Sequence, residues 1–173
     1  IKEIKNITIV LPAKDLKRFK KLENKRIKIV AGGKTRQHSV FNGLRALNSD
    51  TDIVVIHDGV RPFVTEKIIK KSIVAADKYG AVIVAVPSRD TIKMVSNGIV
   101  KSTLDRKNIF LAQTPQTFKY SIIMKAYKKA FEKKYFSTDD SAIVEMLGKK
   151  VRIIQGDYKN IKITTKEDIK DKG

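Results

Sequence analysis

Three short stretches carry residue types suited to handling phosphates: HDGVRPF (57–63), GGKTRQHSV (32–40) and SRDTIK (88–93). Further groups stand at Asp105-Arg106, Thr114, Thr138-Asp139-Asp140 and Lys162. A carboxylate such as Asp58 can accept from sugar hydroxyls or help hold a magnesium ion, and Arg61 can fork onto a phosphate. Gly32 and Gly33 let the backbone approach a ligand closely, and the free amides of a helix starting behind them favour anionic groups. Each group also suits a plainer role. Asp58-Gly59 makes a turn, Arg61 is then solvated, and Thr138 is expected at a helix start in any protein. Residue type leaves both readings open at each position, but carboxylate, hydroxyl and cationic groups follow nearly every apolar run, a convergence that chance explains poorly.

The inventory also excludes chemistries. With no cysteine there is no disulfide, thiolate metal site or cysteine nucleophile. No serine sits in a G-x-S-x-G elbow, and neither G-x-G-x-x-G nor G-x-x-x-x-G-K-[ST] occurs. Two histidines, His38 and His57, make a histidine zinc site improbable. Lys, Arg, Thr and Asp remain, which suit phosphoryl or nucleotidyl transfer, where positioning and charge neutralisation outweigh covalent chemistry.

The elements that must position these groups are legible from periodicity. Apolar runs at 7–12, 27–33, 52–58, 81–87, 110–116, 151–156 and 160–164 are near-continuous in Val and Ile, which predicts strands covered on both faces. Helical patterns lie between them. Thr35 caps a helix with Val40, Leu44 and Leu47 on one face; Thr65 caps another with Ile68, Ile69, Ile73 and Ala76 inward and Gly80 at its end. Residues 120–135 and 137–147 form two more, the second followed by Gly148. The alternation predicts a three-layer α/β sheet, in which ligands bind beyond the carboxyl ends of the strands. Residues 90–105 break the pattern: two alternating stretches flank Asn97-Gly98, a strong hairpin signal. A lone two-stranded ribbon is marginal in water, so this reads as an arm packed against another subunit, with packing on its own domain as the alternative.

A chain of 173 residues, 42% hydrophobic, suits one domain. No stretch is long enough to span a membrane and no signal segment opens the chain, so the expectation is a soluble cytoplasmic protein. It starts at Ile1 and stops at Gly173 just after a helix begins, which reads as part of a longer protein. The net charge of +19 raises a basic nucleic-acid-binding module as an alternative. Lys dominates over Arg, there is no Trp and no recognition signature, so a solvated lysine-rich surface with no specific nucleic-acid partner is preferred.

Taken in order, GGxxRxxSV, HDxxRPF, RDTIK, DRxxxFxAQTPQxF, STDDxxxxE and NIKIT closely resemble the 2-C-methyl-D-erythritol 4-phosphate cytidylyltransferase family of the non-mevalonate isoprenoid pathway. The resemblance covers essentially the whole chain. It implies a Rossmann-like nucleotidyltransferase sheet over residues 1–173, a homodimer joined by a β-arm at 90–107, and Mg²⁺-dependent reaction of CTP with methylerythritol phosphate. By motif, Gly33, Lys34 and Ser39 would meet cytosine and ribose, and Asp58 would stand between nucleotide, metal and methylerythritol. Arg61, Thr91, Thr114 and Thr138 would line the sugar-phosphate pocket. Lys162, and Arg106 donated across the dimer, would hold the attacking phosphate. Lys34 and His38 stand where the family often has acidic residues. The family's opening strand and Gly-rich CTP loop are not among these 173 residues, and a chain without that loop is expected to be inactive. Ribitol 5-phosphate cytidylyltransferase, with the same fold and chemistry, is the nearest alternative.

Overall fold

The computed structural model describes residues 1–48 and 50–170. Among the described residues, eight strands form three sheets. Strands β1 (Ile7–Leu11) and β2 (Ile27–Ala31) pair in parallel, joined by a short helical segment containing α1 (Leu16–Phe19). The central sheet has the order β3 (Ile53–Ile56), β7 (Phe110–Lys119), β4 (Ala81–Pro87), β8 (Arg152–Gln155). The third sheet is the hairpin of β5 (Lys93–Ser96) and β6 (Ile99–Thr103).

Helices cover both faces of the central sheet, giving the expected three layers. On one face α3 (Glu66–Tyr79) buries Ile68, Ser72 and Ala76, and Thr117 of β7 donates to Ser72 Oγ at 2.8 Å. On the other, α2 (Arg36–Arg45), α4 (Tyr120–Glu132) and α5 (Asp140–Glu145) enclose a core of Leu44, Val54, Ala81, Phe118, Ile123, Tyr127, Ile143 and Val144. Each aliphatic side chain fully buried there contributes about 1.5–3 kcal/mol. A last helix, α6, spans Glu167–Lys170.

The predicted caps on Thr35 and Thr65 are present: their hydroxyls accept from His38 N and Ile68 N. Gly80, at φ 84°, ends α3 in a conformation that penalises a side chain. Asn97 and Gly98 both have positive φ, as a tight hairpin turn requires.

One detail refines the sequence reading and three correct it. The central sheet is mixed, because β7 runs antiparallel to both β3 and β4. Apolar continuity reports two-sided burial, and burial is the same for either direction. Residues 160–164 form a loop instead of a strand; Ile163 N donates to Val60 O, an isolated bond that starts no ladder. The cap of α5 is Asp139, which accepts from Ala142 N, so Thr138 lies outside the helix. That helix is also shorter than residues 137–147.

Candidate active site

The site is assembled where β3 ends. Past Ile56 the chain turns through His57, Asp58 and Gly59, and Arg61 N donates back to Asp58 O at 3.0 Å. Opposite, β7 bulges. Its register against β4 passes from Gln116 at Ile83 to Gln113 at Val84, leaving Thr114 and Pro115 without cross-strand partners. A bulge re-aims the side chain it carries. Here Thr114 Oγ1 accepts from Asp58 N at 3.0 Å and lies 2.9 Å from His57 Nδ1. His57 Nε2 meets Arg61 O at 3.0 Å, so the imidazole ties both ends of the turn. Burial holds the His57 pKa below its ordinary value, favouring the neutral ring.

Asp58 is the centre of the cluster. Its side chain is only 15% exposed, with Lys162 Nζ at 3.3 Å, Arg36 Nε at 3.4 Å and Arg61 Nε at 3.7 Å. Burial opposes its charge, but the fields of Arg36 and Lys162 outweigh this and lower its pKa, so the carboxylate is ionised at neutral pH. Lys162 comes from the 157–164 loop, which is pinned across the ends of β4 and β7. Gly156 N donates to Ala85 O, Gln113 Nε2 to Asp157 O, and Asn160 Nδ2 to Thr114 O. Arg61 reaches the same loop, donating to Asn160 O at 2.7 Å. The loop works through such bonds, which is why its lack of strand structure costs the site nothing.

Arg36 opens α2 and links Asp58 to a second carboxylate. It donates to Asp140 Oδ2 at 2.7 Å, and Asp140 is fully buried. The other Asp140 oxygen accepts from the hydroxyl of buried Tyr127. Burial and the adjacent carboxylate push the Tyr127 pKa up, so the hydroxyl keeps its proton. Burial also works against the Arg36 charge, but Asp140 and Asp58 overcome it and raise the guanidinium pKa above its ordinary value.

Of the residues singled out from sequence, Asp58, Arg61, Thr114 and Lys162 converge. Gly33 and Ser39 lie at the start of α2 beside Arg36; Gly33 N donates to Ser39 Oγ at 3.0 Å, and a Cβ on Gly33 would meet His38 Cβ at 2.4 Å. Lys34 is exposed there. Among the described residues no hydrogen bond or ion pair joins Thr91, Thr138 or Arg106 to Asp58. Thr91 and Thr138 are exposed, and Arg106, at the base of the hairpin, donates to Arg89 O at 3.4 Å. Sequence reasoning named Asp140 only within the Thr138-Asp139-Asp140 group, and missed Arg36, Tyr127, Gln116 and Asn160 as parts of the site. Arg36 and Asp140 stood inside motifs already noticed, yet nothing in their spacing says that residues 104 positions apart meet.

An anionic centre ringed by cations at strand ends can bind phosphate esters while keeping one carboxylate for a hydroxyl or a cation. The cations stand 3.3 Å or more from the Asp58 carboxylate oxygens, so its lone pairs are not consumed by short bonds. Magnesium held by one carboxylate together with nucleotide phosphates needs no protein cage, and Asp58 fits that use.

Comparison with known proteins decides the family. The model of 2-C-methyl-D-erythritol 4-phosphate cytidylyltransferase (IspD) matches residues 1–171. The chain belongs to that family. IspD relatives so named include one from Clostridioides difficile, 52% identical over 145 residues, covering 84% of this chain and 61% of the relative. One from Syntrophus aciditrophicus is 56% identical over 142 residues, covering 82% and 61%. One from Bacillus cereus is 40% identical over 173 residues, covering 97% and 76%. The crystal structure of 4-diphosphocytidyl-2C-methyl-D-erythritol synthase from Anaerococcus prevotii superposes with a TM-score of 0.92 at 38% identity, over 99% of this chain and 78% of that one. The Thermus thermophilus IspD structure gives 0.84 at 28%, over 97% and 80%. The fold is therefore the Rossmann-like nucleotidyltransferase fold of IspD. The chain spans about three fifths of the length of several curated relatives it matches.

Proposed function

We propose that this chain carries the sugar-phosphate side of a cytidylyltransferase that moves CMP from CTP to 2-C-methyl-D-erythritol 4-phosphate and releases pyrophosphate, in isoprenoid precursor synthesis. The observation that carries the reading is Asp58, held ionised among Arg36, Arg61 and Lys162 beyond β3 in a chain of the IspD family.

The attacking group is a phosphate monoester. Its second pKa is about 6, so at neutral pH it is largely a dianion and requires no general base. The obstacle is bringing that dianion to an anionic triphosphate. Lys162 faces the incoming phosphate and screens the repulsion. Arg61, fixed through Asn160, and Thr114, on its bulge, orient the sugar alcohol, and Asp58 accepts from a hydroxyl or holds the metal. Magnesium at Asp58 would neutralise charge on the nucleotide phosphates. Such positioning and screening account for most catalysis of phosphoryl-type transfer. Gly33, Lys34 and Ser39 form the cytidine side at the start of α2, with Thr91 and Thr138 at the rim of the substrate pocket.

Residues 1–173 act as one nucleotidyltransferase domain, and the 90–107 arm joins two copies into a homodimer in which Arg106 serves the partner's phosphate. The support is the arm's surface: Met94, Val95, Ile99 and Val100 are each more than half exposed. A CTP-consuming reaction belongs in the cytoplasm, and we assign the chain there. Pyrophosphate release measured on the full-length protein with CTP and either methylerythritol phosphate or ribitol 5-phosphate tests the substrate. Turnover with the first is expected; turnover with ribitol 5-phosphate alone would replace it.

A further inference from the structure

Arg36 is shared unequally. Its contact with buried Asp140 is 2.7 Å, whereas its contacts with Asp58 are 3.4 Å. Asp140 is in turn gripped from three elements. Tyr127 of α4 donates to one oxygen, Arg36 of α2 to the other, and Gln116 of β7 accepts from Asp140 N and Ser141 N at 3.1 and 3.2 Å. Gln116 also donates to Asp139, the cap of the same helix. The Tyr127 ring lies parallel to Phe41 of α2, 5.9 Å away.

A carboxylate with no exposure is a poor way to join helices, since well-packed apolar residues do so at least as stably. It does supply direction. Tyr127 fixes one carboxylate oxygen and Gln116 fixes the backbone that carries it, so the guanidinium bonded to the other oxygen is held in turn.

We propose that Asp140 and Tyr127 are positioning residues that fix the Arg36 guanidinium, and that Arg36 thereby aims the Asp58 carboxylate while leaving its oxygens open to ligand. Without the anchor, Arg36 is free to close onto Asp58 and occupy the lone pairs that the reaction needs. The inference rests on the functional reading above, and deepens it.

The test compares Asp140→Asn, Arg36→Gln and the double variant of the full-length protein in CTP-dependent pyrophosphate release, with Tyr127→Phe as a milder partner that keeps the aromatic packing. Loss of an outer hydrogen-bond partner is expected to lower kcat by roughly 10- to 100-fold for Asp140→Asn. A smaller drop is expected for Tyr127→Phe. The double variant should be no slower than Arg36→Gln, because both changes remove one interaction. If the losses multiply, Asp140 does not act through Arg36 and the inference fails. Should Asp140→Asn not fold, the same cycle is run with Tyr127→Phe. The second arm is NMR of the Arg36 Nε–H group: a slowly exchanging, distinct signal in the native protein and an averaged one in the variants. An Arg36 signal equally ordered in the variants would overturn the anchor whatever the kinetics. Absence of turnover in the unsubstituted protein would count against the functional reading, and the NMR arm would still decide the anchor.

Discussion

Asp58 shows how a side chain gains chemistry from its surroundings. Alone, an Asp-Gly pair after an apolar run is a turn; with Arg36, Arg61 and Lys162 within 3.7 Å it is an ionised carboxylate at the centre of a cationic bowl. Asp58 and Arg61 were legible at the end of an apolar run, and Thr114 and Lys162 through the family motifs that contain them. Asp140 was not, since a buried acid after Thr138 looks like any helix start. His57 gives a prediction at this scale. Its folded pKa is depressed below the ordinary value of 6.5, so the unfolded chain takes up its proton first on acidification. Stability contributed by His57 is complete above about pH 6.5 and declines as pH falls from there toward the folded pKa. Denaturation followed between pH 7.5 and 5 should show this loss in the native protein and not in His57→Gln; identical profiles would refute it.

At the scale of elements, the site depends on two irregular pieces of backbone. The β7 bulge turns Thr114 toward Asp58, and the 157–164 loop carries Lys162. Neither was legible. Hydrophobic continuity marked both segments as strands, but it reports burial and says nothing of register or of a turn held by side-chain amides. The regular elements were legible for the opposite reason: caps at Thr35 and Thr65 and the Asn97-Gly98 turn are set by local chemistry. Gly156 tests the loop. A Cβ there would meet Gln113 Oε1 at 2.5 Å and Val84 Cγ1 at 2.8 Å. Gly156→Ala is expected to cost about 1–3 kcal/mol of stability by overpacking. It should also raise KM for the sugar phosphate more than for CTP, measured by varying each substrate. Equal KM effects would mean the loop does not position Lys162 for that substrate.

At the scale of the whole molecule, the three-layer arrangement brings β3, β4 and β7 together, so residues more than a hundred positions apart share one site. The hairpin is the feature that a single chain does not explain, because its apolar residues face outward. Sedimentation velocity should give a dimer for the native protein and a monomer for Ile99→Lys with Val100→Lys; a native monomer would refute the proposed arm interface, and an unchanged dimer would move the interface elsewhere. The basic surface predicts only weak, salt-sensitive duplex binding, with log affinity falling steeply against log salt. The claim that binds these scales is that the cation-held Asp58 carboxylate serves cytidylyl transfer. Pyrophosphate release from CTP and methylerythritol phosphate by Asp58→Asn in the full-length protein tests it most directly. Turnover should fall about a hundredfold or more, with the folded state retained by circular dichroism. Turnover near the native rate would reduce HDGVRPF to a turn.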